Sequence, residues 1–127
     1  MGHRSFVLAS VAALAACTSS VDGELRVDGE VFEVTHCDSL ERIGLAGVDL
    51  VLEDDRRVRL FVRPGLGLFV TVLGPDRLEE LGDCAQAAFE EQGYELNDVT
   101  AIRGTASLRC LDRSPTVEGR VEFEGCA

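Results

Sequence analysis

Five cysteines, a lone histidine beyond residue 16 and a cluster of arginines in an otherwise acidic chain are the residues whose types and spacing could do chemistry. Cys37, Cys84, Cys110 and Cys126 form an even set with no pair at CxxC spacing. Two disulfides are therefore expected rather than a zinc site. His36-Cys37-Asp38-Ser39 places four reactive types in a row, but neighbours on an extended segment point to opposite faces. His36 shares the parity of Phe32 and Val34, which predicts a partly buried histidine at a strand end rather than a general base. Glu53-Asp54-Asp55 could offer oxygens to calcium, yet it lacks the glycine-spaced DxDxDG arrangement and reads as a solvated hairpin tip. Arg57, Arg59 and Arg63 lie on one face of one strand with Phe61 between them and Arg56 beside them. They offer an anion-facing surface for lipid headgroups or an acidic partner, although cross-strand pairing with Asp49 and Glu53 is the stronger expectation. No serine-nucleophile motif, P-loop or dinucleotide fingerprint is present, so no catalytic residue, metal or cofactor is assigned.

The fifth cysteine has a different setting. Leu14-Ala15-Ala16-Cys17 closes an apolar run and resembles the lipobox of bacterial lipoprotein precursors. Arg4 supplies a positive flank, Phe6–Leu14 an apolar stretch, and Ala15-Ala16 the small residues a peptidase needs beside the cut. Phe6–Ala16 would make about 16 Å of helix at ~1.5 Å per residue, too short for a ~30 Å hydrocarbon core. The resemblance implies a removed signal segment over residues 1–16 and a mature chain beginning at Cys17. It also implies a thiol carrying a diacylglyceryl group and an acylated new amino terminus. Residues 17–20 are then the lipidated cysteine and a short tether, and 21–127 one globular domain. Myristoylation at Gly2 is disfavoured because Phe6 occupies the position that wants Ser or Thr.

Charge narrows the partners. Only Arg4 of the 12 basic residues precedes Cys17 and all 23 acids follow it, so the mature chain carries 11 against 23, a net charge of −12. Nucleic acid is disfavoured as a partner because phosphate binding needs a basic field. Trp is absent and Tyr94 is the single tyrosine, which weakens any reading based on stacking platforms.

Alternation predicts strands. Leu25–Val27 and Glu30–Thr35 flank Asp28-Gly29, a favoured pair for a type I′ turn, with Leu25 opposite Phe32 and Glu24 opposite Glu33. Val48, Leu50 and Leu52 face Val62, Leu60 and Val58 if Asp54–Arg56 is the loop; Val62, Leu60 and Val58 then face Leu66, Leu68 and Val70 across Arg63–Gly65. From Pro75 to Gln92 the period changes. Leu78, Leu81, Ala85, Ala88 and Phe89 predict a helix, opened by Asp76 and Glu79 and closed by Gly93. Two strands finish the chain, carrying Ile102, Ala106, Leu108 and Cys110 on one face and Val117, Val121 and Phe123 on another. The expected fold is α+β: an antiparallel sheet of about seven strands with one covering helix, the alternative being a β-sandwich with a helical insertion.

Parity ranks the disulfides. Cys110 lies near the last hairpin's turn and Cys126 at its open end, on the other face, so they should not meet. Cys37 has the same off-core parity as Cys126, which pairs these two if their strands run side by side in parallel. Cys84 then reaches Cys110 from the helix above the sheet. Val27-Asp28-Gly29-Glu30 before Cys37, Arg103-Gly104-Thr105-Ala106, and Val121-Glu122-Phe123-Glu124-Gly125-Cys126 resemble mycobacterial lipoprotein antigens of the LpqH type. These join an early cysteine to a terminal one, which also implies Cys37–Cys126; no function is carried over.

The expected protein is a non-enzymatic lipoprotein held to a bilayer by acylated Cys17, its protein partner left open. Thr18 rather than Asp follows the cysteine. By resemblance to Gram-negative sorting rules this favours the outer membrane. The alternative is a periplasmic inhibitor of a cationic enzyme such as lysozyme, to which so acidic a domain would be drawn.

Overall fold

The computed structural model describes residues 19–127. Nine strands form there, β1 Ser20–Val27, β2 Glu30–Ser39, β3 Ala46–Leu52, β4 Arg57–Arg63, β5 Gly67–Leu73, β6 Leu78–Gly82, β7 Ala85–Leu96, β8 Val99–Cys110 and β9 Val117–Cys126, with one 3-10 turn at Glu41–Ile43. They make one antiparallel sheet in the order β6-β5-β4-β3-β2-β1-β9-β8-β7. The α+β expectation is thereby corrected: the fold is all-β, with no α-helix among the described residues, and the alternative with a helical insertion falls with it.

The segment from Pro75 to Gln92 shows why the helical pattern misled. Gly82 adopts a φ of 88°, left-handed backbone that ends β6 and breaks any helix there. Beyond it Ala85, Ala87 and Phe89 pack against the core while Gln86, Ala88 and Glu90 are exposed, an alternation of two rather than 3.6. Helix preference for Ala, Gln and Glu amounts to only a few tenths of a kcal/mol per residue, and pairing with β8 outweighs it. The β7–β8 hairpin closes through Asn97 and Asp98 at φ 53° and 66°, a two-residue turn of left-handed residues.

The first hairpin has the expected register, Leu25 opposite Phe32 and Glu24 opposite Glu33, with Asp28 and Gly29 both at positive φ. Arg120 of β9 stands opposite Glu24 on its other side, which offsets the like-charge pair. In the meander both loops begin one residue away from their expected place. Glu53–Asp55 is the first loop, with Asp55 at φ 71°, and Pro64–Leu66 the second. Each register moves by two: Val48 faces Leu60, Leu50 faces Val58, Leu60 faces Val70 and Val58 faces Val72. A shift of two keeps every side chain on its face, so the apolar pattern alone does not distinguish the alternatives.

β2 belongs to both halves of the sheet. Its residues 30–33 pair with β1, and Val34–Ser39 pair with β3, interrupted by a bulge between Val34 and His36. The sheet doubles over at that strand, and inward side chains of both halves, among them Leu25, Val34, Leu50, Leu60, Val70, Leu108, Val121 and Phe123, make one core. Close approaches inside the ladders require glycine. A Cβ on Gly47 would lie 2.0 Å from the Leu60 carbonyl oxygen, and one on Gly104 2.0 Å from that of Ala88.

Candidate functional site

The arginine face is built by β2, β3 and β4 on the side of the sheet away from the core. Alternation sends Val48, Leu50, Val58 and Leu60 inward, so Asp49, Arg57 and Arg59 must point outward. Asp49 is nevertheless only 2% exposed, enclosed by the side chains that bind it. Arg59 Nε donates to Asp49 Oδ1 at 2.8 Å and its NH2 to Oδ2 at 3.0 Å, a two-pronged pair. Arg57 NH1 donates to Asp38 Oδ2 at 2.7 Å and to Asp49 Oδ2 at 3.2 Å. Both guanidinium pKa values are raised. The Asp38 hydrogen bond is the main cause for Arg57 and the Asp49 hydrogen bond for Arg59, each partly offset by desolvation. Two arginines thus meet two carboxylates, and the chemistry of this face is a neutralised network rather than an open anion site.

Arg63 stands apart from that network, its guanidinium 4.9 Å from the centre of the Phe69 ring, which lies 6.3 Å from the Phe61 ring. Arg56 lies 4.8 Å over the Phe32 ring and donates from Nε to Asp54 Oδ2 at 2.7 Å. Glu53 is not opposite Arg57 as expected; Val51 is. Glu53 instead accepts the Glu33 N–H at 3.0 Å, so the acidic hairpin tip is tied to backbone and to Arg56. The sequence reading missed Asp38 as an arginine partner, although it stands beside Asp49 in the adjacent strand. The bulge in β2 concealed this from simple alternation.

His36 differs from expectation. The bulge turns Thr35 and His36 both outward, leaving His36 exposed with Nδ1 3.0 Å from the Thr35 hydroxyl. Among the described residues the Thr35 hydroxyl is its one side-chain partner, and Cys37 is buried on the opposite side in a disulfide. The row of four reactive types is therefore split, His36 toward solvent, Cys37 into the bridge and Asp38 onto Arg57.

The bridges are Cys37–Cys126 and Cys84–Cys110, with Cα separations of 5.0 and 5.1 Å. The pairing agrees with the expectation, but its premises are corrected. β1 lies between β2 and β9, which run parallel without touching as ladder neighbours. Both cysteines are core residues: the β2 bulge turns Cys37 inward, and Gly125, at φ 69°, does the same for Cys126. Cys84 reaches Cys110 from the start of β7 beside it, not from a helix above.

The Cys37–Cys126 bridge marks the end of the fold where the described chain begins. Cys37 N–H donates to the Ser19 hydroxyl at 3.1 Å, and Ser20, expected in the tether, is already the first residue of β1 opposite Glu124. The lipobox, Cys17 and Thr18 lie outside the described residues. At this same end an open cleft of about 550 Å³ separates the β2–β3 connection from β7 and β8, with Leu45, Phe89 and Ile102 on its walls and Glu41, Glu90 and Glu91 at its rim. Against protein-family models, curated proteins and solved structures, the chain has no match.

Proposed function

We propose that this protein is a lipid-anchored lipoprotein of the bacterial cell envelope whose β domain has a binding or structural role and no catalytic one. The observation that carries the reading is Leu14-Ala15-Ala16-Cys17 at the end of an apolar segment too short to span a bilayer. Two disulfides support it, since such bridges persist in oxidising, exported compartments. The arrangement of polar groups supports a non-catalytic role: the one described histidine is exposed beside a threonine, and the most buried carboxylate, Asp49, is held by two arginines. Thr18 after the cysteine favours the outer membrane over the inner. Replacing Cys17 with Ser should move the protein from the membrane fraction to the soluble fraction. Undiminished membrane association of that variant would overturn the proposal.

A second reading draws on the outer face of β1, β2 and β9, where Asp22, Glu24, Glu33, Glu122 and Glu124 are all exposed. Such a face suits a basic protein, and inhibition of a cationic periplasmic enzyme such as lysozyme is its test. Loss of lysozyme activity at low salt, restored by added salt, would support it; unchanged activity at micromolar protein would remove it.

A further inference from the structure

The lipid anchor just proposed would leave the domain at one particular end, and the side chains at that end are not those of an ordinary acidic surface. Ser19 is held at the Cys37 backbone, next to the Cys37–Cys126 bridge. Two peptide links allow at most ~7.6 Å between the Cα atoms of Ser19 and Cys17. An acyl group on Cys17 therefore brings this end, and no other, to the bilayer. The β2–β3 connection, the β4–β5 tip and the β7–β8 tip all lie at the same end, because antiparallel pairing carries each of them past the level of Ser20 and Cys126.

Four of the seven exposed large apolar side chains among the described residues are there: Ile43 at 55%, Val62 at 39%, Leu66 at 64% and Tyr94 at 44%. Ala46 faces Val62 across the β3–β4 ladder, so the loop bearing Ile43 and the tip bearing Leu66 are neighbours. Arg63 flanks Leu66 with its charge over Phe69, a pairing suited to a headgroup layer, where the aliphatic stem and rings meet apolar matter and the guanidinium meets phosphate. Apolar tips of this kind favour a shallow seat, and Glu95 and Asp98 near the β7–β8 tip oppose deeper burial.

We infer that the β4–β5 tip and the adjoining β2–β3 connection rest in the interfacial layer of the bilayer, with Leu66, Val62 and Ile43 in the acyl boundary and Arg63 at the phosphates, so that the anchored domain is held in one orientation. This rests on the lipid-anchor reading. Because the chain has no tryptophan, one introduced tryptophan reports a single position. Leu66→Trp, at the tip, and Leu111→Trp, beyond β8 at the opposite end, are both placed at exposed sites. Each full-length protein is expressed in a bacterium, extracted from membranes and reconstituted in phosphatidylcholine vesicles with bromine on the acyl chains near the glycerol backbone. Intact mass is taken from the same samples. The expected result is an acylated mass, a blue shift and loss of fluorescence for Leu66→Trp, and neither change for Leu111→Trp. An acylated protein whose Leu66→Trp fluorescence is unquenched, or whose two positions are quenched alike, overturns the orientation alone. A mass without acyl groups overturns the anchor and this inference together.

Discussion

Asp49 is the residue on which the arginine face depends, because its carboxylate is shared by Arg57 and Arg59 and is almost closed off from water. Asp49→Ala leaves two guanidiniums without their common partner, and the expected cost is about 2 kcal/mol, less than for a deep ion pair because both arginines keep access to solvent. Asp38→Ala breaks one more exposed pair and should cost less than about 1 kcal/mol. Urea midpoints of the two variants check the order, and equal midpoints would contradict it. The pH dependence has a definite sign. A guanidinium whose folded-state pKa is raised contributes its stabilisation in full below the unfolded value and loses it only as pH climbs through the folded one. For both arginines that window lies in strong alkali, so raising the pH from neutral to 10 should leave their contribution intact. The opposing charges of this face were legible in sequence through alternation. Asp38 was not, because one extra residue in β2 changes which side chains share a face.

At the scale of elements, alternation located the strands of the meander but not their register, since a slip of two keeps every side chain on its face and sets apolar against apolar again. The turn residues held that information. Asp55 at φ 71° and Gly65 at φ 78° mark the left-handed position of each loop, and only the second is a glycine that sequence would flag. The lost helix has the same origin: Leu81, Ala85 and Phe89, four residues apart, suit both periods, only Leu78 falls on the other parity and is exposed, and the deciding features were Gly82 and the Asn97-Asp98 turn. Gly104 then offers a test of the β7–β8 ladder, which replaced that helix. Its added Cβ would strike the Ala88 carbonyl, so Gly104→Ala should destabilise the protein on the order of 3 kcal/mol by forcing the two strands apart. Asp98→Gly, at φ 66° in the turn, should instead be neutral or stabilising by a few tenths of a kcal/mol. Thermal melts of both variants check the pair. A well-tolerated Gly104→Ala would mean that β7 does not lie against β8 in this register.

For the whole molecule, two covalent links close a doubled sheet whose edge strands are β6 and β7. Cys37–Cys126 spans 89 residues and Cys84–Cys110 spans 26. In the chain-entropy account these contribute about 4.5 and about 3.5 kcal/mol. Against a typical total of ~5–15 kcal/mol, reduction should unfold the domain or lower its melting point sharply, and Cys37→Ser with Cys126→Ser should cost more than Cys84→Ser with Cys110→Ser. Both pairings agree with the parity ranking although its premises do not hold: Cys84 lies on a strand and not on a helix, and the inward turn of Cys37 and Cys126 depends on a bulge and a glycine that parity ignores. The longer bridge also sits where the chain emerges toward Cys17, which joins the fold to the proposed anchor. That anchor is tested most directly by mass spectrometry of the amino-terminal peptide of the protein extracted from membranes of a bacterial host. The account predicts a chain that starts at Cys17 and bears a diacylglyceryl group, whereas an unmodified Cys17, or a mature chain starting elsewhere, would contradict it.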